Sequence, residues 1–103
     1  MLDTWGGRSE FGYTGDINQG TRITYGSSNQ ITVTAQQYQA MLEHFRGQTI
    51  AVSPERTDPE QDSLESWLRS NVTQTSIASY VAPILINEGV AIRSPDNRLQ
   101  FNT

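Results

Sequence analysis

The sequence predicts a small α+β domain of three helices, with one β-hairpin before them and another after. Three observations predict it. A helix with a capping box and one apolar stripe occupies residues 34–47. Two further apolar stripes at helical spacing follow between residues 58 and 88. Two stretches of alternating apolar and polar residues, 22–33 and 90–101, each enclose a turn rich in Ser, Asn, Gly or Pro. At 103 residues and 35% hydrophobic content, the chain supports one domain with a small core.

Residues 1–20 are polar and hold five of the eight glycines. Trp5, Phe11 and Tyr13 are the large aromatics there and follow no clean period, so this stretch reads as an arm, flexible or docked through its aromatics. The folded domain is expected over 21–103. Arg22–Tyr25 and Gln30–Val33 form a hairpin around Gly26-Ser-Ser-Asn29. Thr34 then caps the first helix, with Gln37 at capping-box spacing. Tyr38, Met41, Leu42 and Phe45 make its apolar stripe, and Gly47 ends it.

Thr49–Val52 has the composition of a short strand, and Ser53–Asp62 is a polar connection with Pro54 and Pro59. The second helix starts at Asp58, with proline in its first turn, or at Ser63. Its apolar face is Leu64, Trp67 and Leu68, and Asn71 stops it. The third helix opens at Thr73 or Thr75 and is lined by Ile77, Tyr80, Val81, Ile84 and Leu85. Pro83 removes one backbone hydrogen bond and crowds the preceding turn, at a cost of about 3 kcal/mol. A kink near Ala82, or two short helices meeting there, is therefore expected. Val90–Arg93 and Arg98–Phe101 close the chain as a hairpin around Ser94-Pro-Asp-Asn97.

Composition removes several chemistries. Without cysteine there are no disulfides, thiolate metal sites or cysteine nucleophiles. His44 is the single histidine and makes no zinc site alone. The acidic residues of 55–65 lack the ligand spacing and glycine of a calcium loop. No phosphate-cradling glycine loop and no serine–histidine–acid set stands out, so an enzyme is not expected, nor a metal or cofactor. No apolar run has the length of a membrane span, and a cytoplasmic protein is the expectation.

Charge pulls in a second direction. The net charge is −4, and all seven basic residues are arginine. Glu55, Asp58, Glu60 and Asp62 face only Arg56 in the connection, whereas residues 63–103 are balanced. The acidity is thus concentrated away from the last third of the chain, which leaves local DNA contacts open with little long-range steering.

That last third runs Val72-Thr-Gln-Thr-Ser-Ile-Ala-Ser-Tyr-Val81, Leu85-Ile-Asn-Glu-Gly-Val-Ala-Ile-Arg93 and Ser94-Pro-Asp-Asn-Arg98. A hydroxyl-rich helix opening, a glycine stop and a hairpin with an arginine on each arm follow in order. Residues 63–101 resemble the winged helix-turn-helix superfamily. The resemblance implies a homodimeric binder of double-stranded DNA, a small transcriptional or mobile-element regulator. The opening of its recognition helix would enter the major groove, about 12 Å wide. Thr73, Gln74, Thr75, Ser76 and Ser79 would meet bases and phosphates there, and Arg93 and Arg98 would flank the wing tip.

Each of these residues has an ordinary structural reading as well. Thr73 and Ser76 have helix-cap spacing, Gln74 and Ser79 suit a solvated surface, and Tyr80 suits the core. Arg93 and Arg98 suit pairing with Glu88 or Asp96, worth roughly 0–1 kcal/mol. The acidic balance and the neutral recognition segment motivate a rival reading. In it the same fold is a protein-interaction module without DNA binding, with its partner at the exposed aromatics of the arm or at the 53–62 connection.

Overall fold

The computed structural model describes residues 2–52 and 63–102. The acidic 53–62 connection, and with it the helix start at Asp58, lies outside the described residues. The protein is a small α+β domain with three helices and two antiparallel sheets.

The first sheet takes up the whole N-terminal third. Strands β1 (Leu2–Asp3), β2 (Glu10–Asp16), β3 (Gly20–Tyr25) and β4 (Asn29–Val33) lie side by side in that order. Along β3 the pleat sends Thr21 and Ile23 into the core and Arg22 and Thr24 to solvent. The expected 22–33 hairpin is present, with Ile23 opposite Ile31. Of the two forms expected for the arm, the structure has the docked one: Leu2–Asp3 and Glu10–Asp16 are strands of the sheet, and Phe11 is only 1% exposed. The reason is that Phe11 and Tyr13 share one face of a strand, a two-residue period that the intervening glycines disguise. The turn between β2 and β3 is held by the Asp16 carboxylate, which accepts the amides of Asn18 and Gln19 at 2.8 Å each. Gly20 follows at φ 95°, and a side chain there would meet the carbonyl of Val33 at 3.0 Å.

Helix α1 (Ala35–His44) begins as its sequence predicts. The Thr34 hydroxyl accepts the Gln37 amide at 3.1 Å, and the Gln37 side chain accepts the Thr34 amide at 2.9 Å. Tyr38, Met41 and the C-capping Phe45 are fully buried. Strand β5 (Thr49–Ile50) follows Gly47. Helix α2 (Leu64–Asn71) takes Ser63 as its N-cap, whose hydroxyl accepts the Ser66 amide at 3.2 Å.

Helix α3 spans Ala78–Asn87, so it starts later than either expected position. The amides of Val72 and Thr73 both turn back to the Leu68 carbonyl, which ends α2. The chain then enters α3 only where Ile77 reaches the core, and no side chain caps the helix there. Thr73 and Ser76 therefore do not form the expected cap. Nor does Pro83 divide the helix, which is continuous from Ala78 to Asn87. Proline orphans the carbonyl four residues earlier, that of Ser79. The backbone N–H of Trp5 donates to that oxygen at 2.9 Å. A bond missing within the helix is thus supplied by the N-terminal strand region.

Strands β6 (Ala91–Arg93) and β7 (Leu99–Phe101) form the C-terminal hairpin, with Asn97 at φ 64° in its turn. The second sheet has the order β5-β7-β6, which places the last strand in the middle. A single core joins all parts. Phe11, Ile23 and Val33 enter it from the first sheet, and Leu99 and Phe101 enter it from the second.

Candidate functional site

The residues expected to contact DNA fall into two groups, and all but Ser79 lie off helix α3. Thr73, Gln74, Thr75 and Ser76 form the connection between α2 and α3 rather than a helical turn. Arg69 donates to the Ser76 hydroxyl at 2.5 Å, and the Gln74 amide donates to the Arg69 carbonyl at 3.4 Å. This run is folded back on the end of α2. Ser79 alone of the five stands in the first turn of α3, and it is exposed.

The two wing arginines both have intramolecular partners. Arg93 is exposed, with its guanidinium 4.0 Å from the centre of the Trp5 ring, a cation–π contact. Its Nε also donates to the Asn97 side chain at 2.9 Å. Arg98 pairs with Asp96 at 3.4 Å. The Asp96 carboxyl is held below its ordinary range, first by the Ser94 hydroxyl and to a lesser degree by Arg98. Glu88, the other expected partner, receives the Tyr13 hydroxyl at 2.9 Å and the Ile17 amide at 3.1 Å.

Those last contacts belong to a larger arrangement. Val81, Ile84 and Leu85 face the core, so 100° steps around the helix place Ser79, Tyr80, Pro83, Ile86 and Asn87 outward. In a helix that reads a major groove, this side meets the bases. Here the first sheet packs against part of it, while Ser79 and Asn87 stay exposed. Tyr80 packs edge-on against Phe11 at 5.2 Å and stacks on Tyr25 at 4.8 Å. Asn87 donates to the Tyr13 hydroxyl at 2.7 Å. Pro83, Ile86 and Asn87 share a cavity of about 230 Å³ with Leu2, Trp5 and Arg93. Burial raises the Tyr13 phenol above its ordinary pKa; the bond from Asn87 opposes that rise, and Glu88 adds to it.

Trp5, Tyr13 and Glu88 thus organise this region; the sequence offered the arm's aromatics as a partner contact and Glu88 as an arginine's partner, and placed none of the three against α3. Two signals pointed to it: the carbonyl that Pro83 must orphan, and the three aromatics of a glycine-rich segment that need a surface to cover. Tyr80, expected in the core, is half-buried between the sheet and the helix layer. Among the described residues no three acidic or histidine side chains come together as metal ligands. No helix among them is long and apolar enough to cross a membrane. Comparisons of the chain with family models, with curated proteins and with solved structures find no match.

Proposed function

We propose that this chain is a winged-helix-like domain that works through protein contacts rather than by placing α3 in a DNA groove. The winged-helix part of the reading is supported by topology. Helix, short strand, two helices and a hairpin follow in order, and the short strand β5 pairs with β7. The protein-contact part is carried by one observation: the first sheet and the loop at Trp5 pack against the outward side of α3, from the Trp5–Ser79 hydrogen bond to the Tyr13–Asn87 pair, and leave only Ser79 and Asn87 of its outward residues exposed. Entry into a major groove would require that sheet to leave, exposing Phe11 and breaking the Glu88 bonds. The overall charge of −4 adds a repulsive term for any polyanion.

The open edge β6 offers the contact surface. It pairs on one side with β7, and Ile92 upon it is 46% exposed, the large hydrophobic residue most accessible among the described residues. Natural edges are blunted by charged residues, proline or a short length; β6 is short and carries Arg93, whose guanidinium is held over the Trp5 ring. An extended segment of a partner can add there through backbone hydrogen bonds, with Ile92 as side-chain anchor.

Fluorescence anisotropy with a mixed-sequence duplex over a salt series tests this reading. No measurable affinity is expected even at low salt. A log affinity that falls linearly with log salt, with a slope equivalent to about three phosphate contacts, would restore the DNA reading and its wing arginines. The complementary variant is Ile92→Asp. Because Ile92 is 46% exposed, its unfolding free energy should fall by no more than about 1 kcal/mol, while capture of the protein partner is lost. Unchanged capture would move the contact elsewhere.

A further inference from the structure

We propose that the pocket beside the β2–β3 turn binds a tetrahedral oxyanion, of the phosphate class. The outer face of the first sheet carries a cross-strand row, Thr14 on β2, Arg22 on β3 and Thr32 on β4, with the arginine in the middle. Directly opposed side chains in such a row stand roughly 5 Å apart. All three are exposed, as are Gln19 and Thr34 at the rim. Together with Gly15 and Gly20 they line a concavity of about 300 Å³ that opens to solvent, with room for a phosphate and part of its ester.

The charge state of this pocket is what singles it out. Among the described residues the Arg22 side chain has no hydrogen-bond or ion-pair partner, a state it shares with Arg8 and Arg46 but not with Arg69, Arg93 or Arg98. No carboxylate among them lines the pocket. Asp16, in the adjoining turn, is engaged there by the Asn18 and Gln19 amides. In a protein of net charge −4 this hollow is thus acid-free among the described residues and cationic, with hydroxyls on both flanks. A guanidinium takes two oxygens of an anion side by side, and hydroxyls from the neighbouring strands suit the oxygens that remain. The Thr34 hydroxyl uses its lone pair on the Gln37 amide, which leaves its proton to donate. A planar carboxylate would fill the guanidinium fork and leave the flanking hydroxyls unused.

Titration of inorganic phosphate into the 15N-labelled protein, followed by amide chemical shifts, is the test. The amides of Thr14, Gln19, Thr32 and Thr34 should move together, with a dissociation constant in the millimolar range. Sulfate should compete well and acetate only at much higher concentration. Arg22→Gln should weaken binding at least about tenfold with the rest of the spectrum unchanged. Arg22→Lys, which keeps the charge and loses the fork, should fall between. O-phosphoserine separates the sources: tighter binding than inorganic phosphate marks a phosphate ester as the ligand, and equal binding marks the free ion. Unmoved pocket amides, or an Arg22→Gln protein that titrates like the parent, would overturn the proposal.

Discussion

Phe11→Ala is expected to lower the unfolding free energy by about 3–5 kcal/mol, the cost of emptying a fully enclosed aromatic site. Phe11 is 1% exposed, belongs to the main core and meets the edge of Tyr80 at 5.2 Å. In a domain of this size each kcal/mol shifts the melting temperature by roughly 4–8 °C, so thermal denaturation reads the effect directly. Total stabilities of such domains are only about 5–15 kcal/mol, and the variant stands near the limit of folding. An exposed arm would respond quite differently. Surface substitutions there change stability by about 0.5 kcal/mol or less. A melting temperature that barely moves would show that residues 2–20 are not held on α3, and the proposed protein-contact reading would lose its main support.

The second large effect concerns Tyr38, the hydroxyl at the centre of the core. It shares a hydrogen bond of 2.6 Å with Thr21, and the two side chains are 0% and 2% exposed. Tyr38→Phe leaves the Thr21 hydroxyl buried without its partner, at a cost of about 1–3 kcal/mol. It also changes the response to alkali. Burial pushes the Tyr38 phenol up to about 12 from its ordinary 10.0, even though the Thr21 bond acts the other way. The folded state therefore holds this proton more tightly than the unfolded state does. The stabilisation is fully present below pH 10 and is lost as pH rises from there through about 12. A rise of that size corresponds to about 2–3 kcal/mol. Urea unfolding of parent and variant at neutral pH and above pH 10 isolates this residue, because the other tyrosines cancel in the difference. The stability gap between the two proteins should narrow with pH; a constant gap would mean that Tyr38 ionises no later in the folded protein than in the unfolded one.

Several elements were legible because their causes are local. The capping box at Thr34 and Gln37 places the start of α1 to the residue, since both bonds span three positions. The β3–β4 hairpin shows its two-residue alternation on each side of a short turn. Ser94-Pro-Asp-Asn97 closes the C-terminal hairpin with asparagine in the left-handed region, as its position in the turn requires. The candidate DNA contacts were less legible. Thr73 to Ser76 carry hydroxyls at helix-cap spacing, but spacing does not reveal that Ile77 is the first residue of that segment fully inside the core. Burial, a property of the whole fold, postponed the helix to Ala78. The arginine at the centre of the Thr14–Arg22–Thr32 row was invisible for a similar reason, because three strands in register are needed to assemble it.

The sequence by itself determined the kinds of element, most of their turns and caps, and the class of a small α+β domain. Periodicity and capping act over two to four residues and are written in the order of the side chains. Tertiary structure alone decided what lies against the third helix. The contacts that settle it join residues 74 and 75 apart in sequence, Tyr13 with Asn87 and Tyr13 with Glu88. Proline at 83 announced that one carbonyl of α3 would need a donor from elsewhere. Only the folded chain supplies that donor from Trp5. A helix that looks from its sequence like an exposed reading surface is therefore covered in part, with Ser79 and Asn87 still exposed, because the aromatic side chains of the first strands leave water by packing against it.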